Sequence, residues 1–335
     1  MSVQIDDKYK LEFITPLFSY GADSPDYKQH IDGTPEIRAA SIRGQLHHWL
    51  RLVGGDAEAE RAIFGAVQMN FGGKELKPSA SRIVVRVEVI EPENPATPSR
   101  ATLPHKSGGP AASKPCFAPG TRFTLHVFER LGGIDTEQHR ELARRAIEAW
   151  LLAGSLGLRA TRGGGAFHWD GAPDDIPSYK DALDNVIKPT NLVFDILNQS
   201  FKTSEEARKT ITDTLAEDAF RQSERPLGGI NKPNGRKTSP LRLTVRRFGT
   251  QGSYDYRILA LWDNRQAVTG NTIKDLHSAI DILAQGGKEI GKLLQSSTLR
   301  NTSTATPSCQ TNPTPQIQVP TRSIRPPTPQ NSPRR

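Results

Sequence analysis

Gly154 to Trp169 reads GSLGLRATRGGGAFHW. A helical run ends there, a glycine-rich loop carrying two arginines follows, and Ala166 to Trp169 begins a strand. Three successive glycines, Gly163, Gly164 and Gly165, lack the Cβ that holds a backbone away from a partner. Arg159 and Arg162 bring two permanent charges whose planar forks suit phosphate oxygens. With Gly157, these residues read as a phosphate-facing surface, and a flexible helix-to-strand connector fits the same letters equally well. A triphosphate-binding P-loop is disfavoured, because no strand precedes the glycines and no Lys-Ser or Lys-Thr follows them.

Working outward, Asp135 and Gln138 resemble a capping box that opens a helix running to Ala153, with Leu142, Ala146, Ile147, Trp150 and Leu151 as its apolar stripe. Arg122 to Arg130 alternates as a strand with Phe123, Leu125 and Val127 inward. Ile83 to Ile90 is the clearest strand, placing Ile83, Val85, Val87 and Val89 on one face. Between them, Pro92 to Gly120 holds seven prolines and four basic side chains, Arg100, His105, Lys106 and Lys114, against the single acid Glu93. Such a long connection inside a compact domain either serves a function or is decoration. Earlier, Ser41 is placed to cap a helix from Ile42 to about Val53, buried through Ile42, Leu46, Trp49, Leu50 and Val53. Arg43, His47 and Arg51 share another face of it, and Gly44 inside a helix points to a close backbone approach. Lys10 to Tyr20 is a strand whose Pro16 favours an edge or a bulge. The resulting order, strand, helix, strand, strand, helix, strand, is that of a ferredoxin-like α+β domain over residues 1–170, with 92–120 as an inserted loop.

Residues 171–295 read as a smaller α+β domain. It has a helix at Glu205 to about Gln222, a hairpin of Leu241 to Phe248 with Tyr254 to Trp262, and a last helix at Thr272 to Leu294. The turn before the hairpin is purely basic and includes Arg236 and Lys237. Residues 296–335 hold eight prolines and five arginines with no acid, a composition that cannot bury enough surface to order itself.

The formal charge of +8 therefore lies mostly in that tail, since the first 295 residues carry 39 basic against 36 acidic side chains. Any surface for a polyanion must be a local stripe. Two cysteines, Cys116 and Cys309, exclude a disulfide framework and a cysteine zinc site. No apolar run spans a membrane and no signal core opens the chain, so a cytoplasmic protein is expected, with no cofactor or metal.

TPLFSYGAD from Thr15, EIRAASIRGQL from Glu36, Ile63-Phe64-Gly65, the glycine-rich loop and Thr238 to Leu241 together resemble the RAMP proteins of CRISPR effector complexes. They are most similar to the first-numbered RAMP subunit of the type III-B, or Cmr, complex. The resemblance implies two ferredoxin-like, RRM-related domains and a non-catalytic RNA-binding subunit at the end of a guide-RNA filament, near the 3′ part of the guide. Its partners would be guide RNA, single-stranded target RNA and other RAMP subunits. Its helix positions fall on Arg38, Ser41, Arg43, Gly44 and Arg51, and its loop positions on Gly157, Arg159, Arg162, Gly163 and Gly165. Gly164 stands where the family tends to have a bulky residue, and Thr161 where it tends to have a basic one. Two other readings remain. One is a metal-independent guide-processing ribonuclease using His47 or His48. The other is a structural adaptor without direct RNA contact.

Overall fold

The computed structural model describes residues 4–21, 33–66, 69–71, 74–76, 78–104, 113–214, 229–231, 235–237 and 241–263. In chain order the elements are β1 (Asp7–Phe13), α1 (Ala39–Leu52), α2 (Ala57–Phe64), β2 (Met69–Phe71), β3 (Lys74–Leu76), β4 (Ile83–Glu91), β5 (Ser99–Ala101) and β6 (Ser113–Pro115). There follow β7 (Arg122–Glu129), α3 (Glu137–Ala153), β8 (Phe167–Trp169), α4 (Ile176–Ile187), β9 (Leu192–Ile196), α5 (Ser204–Thr214), β10 (Gly229–Asn231), β11 (Gly235–Lys237), β12 (Leu241–Phe248) and β13 (Asp255–Asp263). The expected helix at Thr272 to Leu294, the tail at 296–335, residues 215–222 and Thr238 to Pro240 lie outside the described residues.

Four antiparallel strands form the first sheet in the order β4-β7-β1-β8. Period-two alternation sends Tyr9, Leu11 and Phe13 of β1 and Phe123, Leu125 and Val127 of β7 to one buried face, which α1 and α3 cover. The opposite face carries Lys8, Lys10, Arg86, Arg122 and His126 among others and stays at least partly open to water. A register shift between Val87 and Val89 sets Ile90 opposite Phe123, where it packs against the first core. β1 is central, between β7 and β8, and not the edge strand that Pro16 suggested, because the strand ends at Phe13 before the proline is reached.

Two helix starts also differ from expectation. α1 is preceded by Arg38 in extended backbone with no side-chain cap, and Ser41 is an exposed residue inside the helix. α3 is capped by Thr136, whose hydroxyl accepts from His139 N at 3.2 Å, so the cap lies one residue later than Asp135 suggested and His139 takes the place of the Glu or Gln of a capping box. The inserted stretch after β4 is partly built, as a short hairpin of β5 with β6.

A second sheet runs β12-β13-β9, with α5 following β9 as α1 follows β1. Its strand order repeats that of β4-β7-β1 in the first sheet. α4 and β9 were not expected from the sequence. β12 is buried along nearly its whole length because both faces of this sheet are covered. One face joins the first core, through Phe248, Leu259 and Leu261, while Leu243, Val245 and Trp262 form a second cluster with Ala207 and Ile211 of α5.

Candidate nucleic-acid interface

The glycine-rich loop is fixed by its own main chain. Leu156 N donates to Gly165 O at 3.0 Å, Gly164 N to Arg159 O at 3.0 Å, Gly165 N to Pro16 O at 3.0 Å and Gly163 N to Leu243 O at 2.8 Å. Leu243 N returns a bond to Thr161 O at 3.2 Å, so the loop is stitched to β12. Gly163, Gly164 and Gly165 are buried. A Cβ on Gly165, at φ +59°, would stand 1.9 Å from Leu156 O. These three glycines therefore serve packing, and the phosphate-facing surface expected of them is corrected: their amides already have acceptors and their Cα atoms face protein. The exposed part of the loop lies just before them, at Gly157 and Leu158, with Arg159 and Arg162 half-buried. Gly157 sits at φ +73°, where a Cβ would meet Phe18 O at 2.4 Å.

Phe18 belongs to the segment Leu17–Tyr20, on which several parts of the site converge. Leu158 N donates to Phe18 O at 2.7 Å and Glu36 N to Ser19 O at 2.8 Å. The Arg38 guanidinium reaches Tyr20 O at 3.4 Å and Glu36 at 3.5 Å. Thus the loop and the entry of α1 flank one strip of chain, bringing Arg38, Arg159 and Arg162 into one region. Farther along α1, Ser41 and Gly44 are exposed, and a Cβ on Gly44 would meet nothing within 4 Å. The close approach expected at Gly44 is therefore not made by any of the described residues.

Arg43, His47 and Arg51 do not join that region. They face α2: Arg43 donates to Phe64 O, and His47 Nδ1 lies 2.7 Å from Glu60 Oε1 with its ring stacked on Phe64 at 4.1 Å. Arg51 holds the same carboxylate with two bonds, at 2.8 and 2.7 Å. Burial pushes the Glu60 carboxyl up, but the bonds from Arg51 and His47 outweigh it and hold it below the ordinary range. An α2 carboxylate and carbonyl thus capture this flank of α1. Arg51 keeps 64% of its side chain exposed, so its outer edge remains accessible.

On the other flank, His48 Nε2 accepts from Arg242 at 2.6 Å, and the Arg242 guanidinium lies over Trp49 at 5.7 Å. Burial, with Arg242 and then Arg51 beside it, pushes the His48 imidazole down to about 4. Neither histidine is arranged as an acid–base pair: one is clamped between a carboxylate and a ring, and the other is held neutral as an acceptor. Arg236 and Lys237 fall on β11, and their side chains lie outside the described residues.

Sequence reasoning missed the arginines that weld this region together. Arg246 donates to Phe167 O at 2.9 Å and Gly154 O at 2.6 Å, and Arg247 meets Glu12 at 3.0 Å. Arg208, 1% exposed, donates to Ala101 O and Thr102 O. Arg246 and Arg247 are neighbours on β12 and Arg208 stands among charged residues of α5, so each looks like a solvated cation in sequence, and only tertiary packing shows them buried. Among the described residues no cluster of three His, Cys, Asp or Glu side chains could hold a metal, and no helix is long and apolar enough to cross a membrane.

These features define an α/β protein whose antiparallel sheet closes through a glycine-rich loop flanked by arginines. Within that class, residues 10–168 match the model of the RAMP superfamily. No curated protein matches the sequence. Among solved structures, Cmr1 from Pyrococcus furiosus in its apo form is similar with a TM-score of 0.49 and 18% identity, over 80% of this chain and 92% of that one. A chain of the type III-B Cmr-β complex bound to cognate target RNA is similar at 0.45 and 9%, over 83% and 99%. A chain of a type IV-B CRISPR complex gives 0.35 and 15%, over 51% and 93%.

Proposed function

We propose that this chain is a non-catalytic, RNA-binding subunit of a type III-B CRISPR ribonucleoprotein. It would sit at the end of the filament near the 3′ part of the guide RNA and help capture single-stranded target RNA beside other RAMP subunits. In this reading residues 1–170 and 171–295 are two ferredoxin-like, RRM-related units, the second abbreviated. The repeated strand order of the two sheets supports that view. The observation that carries the function is the convergence of the α1 entry and the loop on Leu17–Tyr20, inside the superfamily-matched stretch. Arg38, Arg159 and Arg162 then supply phosphate contacts that position RNA without reading its sequence, and guide pairing supplies specificity. Ser41 and Gly44 lie on the exposed side of the same helix and let a strand approach closely.

Filter binding with single-stranded RNAs of unrelated sequence tests this. An Arg159→Ala/Arg162→Ala variant is expected to bind all of them more weakly, with the slope of log K against log salt reduced by about 0.7 for each phosphate no longer neutralised. Unchanged affinity and slope would assign the surface to protein contacts, as in an adaptor. Specific cleavage of repeat RNA without metal, abolished by His47→Ala/His48→Ala, would instead establish the ribonuclease.

A further inference from the structure

In the inserted hairpin, the register sets Arg100 directly opposite Lys114. Opposite residues of an antiparallel pair project to the same face with Cβ atoms about 5 Å apart, and like charges so placed are destabilising. A hairpin of two three-residue strands has little pairing of its own to offset that repulsion. Here it is nonetheless held firmly. Cys116 N donates to Pro98 O at 3.1 Å, Ala118 N to Ala96 O at 3.2 Å, and the Tyr20 hydroxyl to Pro115 O. The buried Arg208 guanidinium grips Ala101 O at 3.0 Å and Thr102 O at 2.9 Å. Its own charge is met by Glu205 at 3.2 Å, which leaves that acid engaged. Arg100 is exposed and makes no ion pair among the described residues.

The position of this pair matters as much as its charge. The Lys114 ammonium lies 5.8 Å over the ring of Tyr20, whose carbonyl receives Arg38. Arg208 lies over Phe18 at 5.5 Å, and a Cβ on Gly163 would stand 3.5 Å from its side chain. The hairpin therefore abuts the strip on which the loop and the α1 entry converge.

We infer that Arg100 and Lys114 form a phosphate-binding clamp for single-stranded RNA, a second contact on the path that starts at Arg159 and Arg162. This rests on the RNA-binding reading above. A phosphodiester entering between the two cations removes their repulsion, so the hairpin is assembled in advance for an anion. Arg208 acts as its anchor and contributes no direct contact.

The test is an Arg100→Gln/Lys114→Gln variant of the full chain, measured by filter binding beside Arg159→Ala/Arg162→Ala. The clamp predicts weaker binding to every single-stranded RNA, with the salt slope reduced by about 0.7 because the clamped phosphate is no longer neutralised. The melting temperature of the free protein should hold or rise as repulsion disappears, so weaker binding is not a failure to fold. An Arg100→Lys variant should bind as the parent does. If the hairpin variant keeps its affinity and slope while the loop variant loses both, the clamp is overturned and the RNA-binding reading stands. If neither variant loses affinity, both fall. If Arg100→Lys loses as much as the glutamine variant, charge is not the agent and the clamp is again overturned.

Discussion

Gly44 and Gly165 sit in two motifs of the same family pattern, yet opposite physical demands keep them. At Gly165 the left-handed backbone and the Leu156 carbonyl leave no room for a side chain. At Gly44 the space beside the Cα is open and the residue is exposed. A glycine inside a helix costs about 1 kcal/mol relative to alanine, and no contact among the described residues repays it. Gly44→Ala is therefore expected to raise the stability of the free protein by about 1 kcal/mol in urea or thermal unfolding. If RNA or a neighbouring subunit approaches the helix there, the same variant binds its partner less well. A variant that is more stable and binds RNA unchanged removes Gly44 from the interface, and the sequence alone could not separate these two glycines.

At the scale of elements, β12 decides how the site is held. Its first residues touch α1 through Arg242 and the loop through Leu243, and its later arginines hold β8 and β1. The elements of the first sheet were legible because long alternating runs and helical stripes coincide with what is buried. α4, β9 and the burial of Arg246 were not, since a short strand of mixed burial and a charged alternation look the same in sequence whether covered or solvated. The Arg242–His48 contact has a measurable consequence. His48 and His168 are both pushed down to about 4, by burial first and then by neighbouring arginines, Arg242 and Arg247 respectively. Unfolded chains take up those protons near pH 6.5, whereas the folded protein refuses them until about pH 4. Stability contributed by the neutral rings is thus present above about pH 6.5 and is lost as pH falls towards 4, by roughly 1 kcal/mol per pH unit for each histidine. Melting curves across that window should show the decline, and His48→Gln should flatten part of it. A melting temperature that holds steady from neutrality to pH 4 would contradict this account.

For the whole molecule, the expected boundary at residue 170 separates two strand patterns but not two cores. Tyr179, Leu183, Val186 and Ile187 of α4 pack into the same cluster as Trp150 and Leu152 of α3, and the Tyr179 hydroxyl donates to Leu152 O. Burying each such side chain contributes about 1.5–3 kcal/mol, so these four alone supply about 6–12 kcal/mol. Conformational entropy offsets much of this gross term, but it arises only while both sides of the boundary are packed together. Arg246 adds two bonds across the same boundary, to carbonyls of Gly154 and Phe167 at either end of the loop. The loop is therefore shaped from both sides, and its arginines keep their positions only while the second sheet is docked. We expect the full chain to unfold in one calorimetric transition, and a chain ending at residue 170 to lack a cooperative transition and bind RNA without the salt slope of the intact protein. Two resolved transitions, or a truncated chain that melts sharply and binds RNA as the parent does, would show that the first unit stands alone and that β12 is not needed to set the loop.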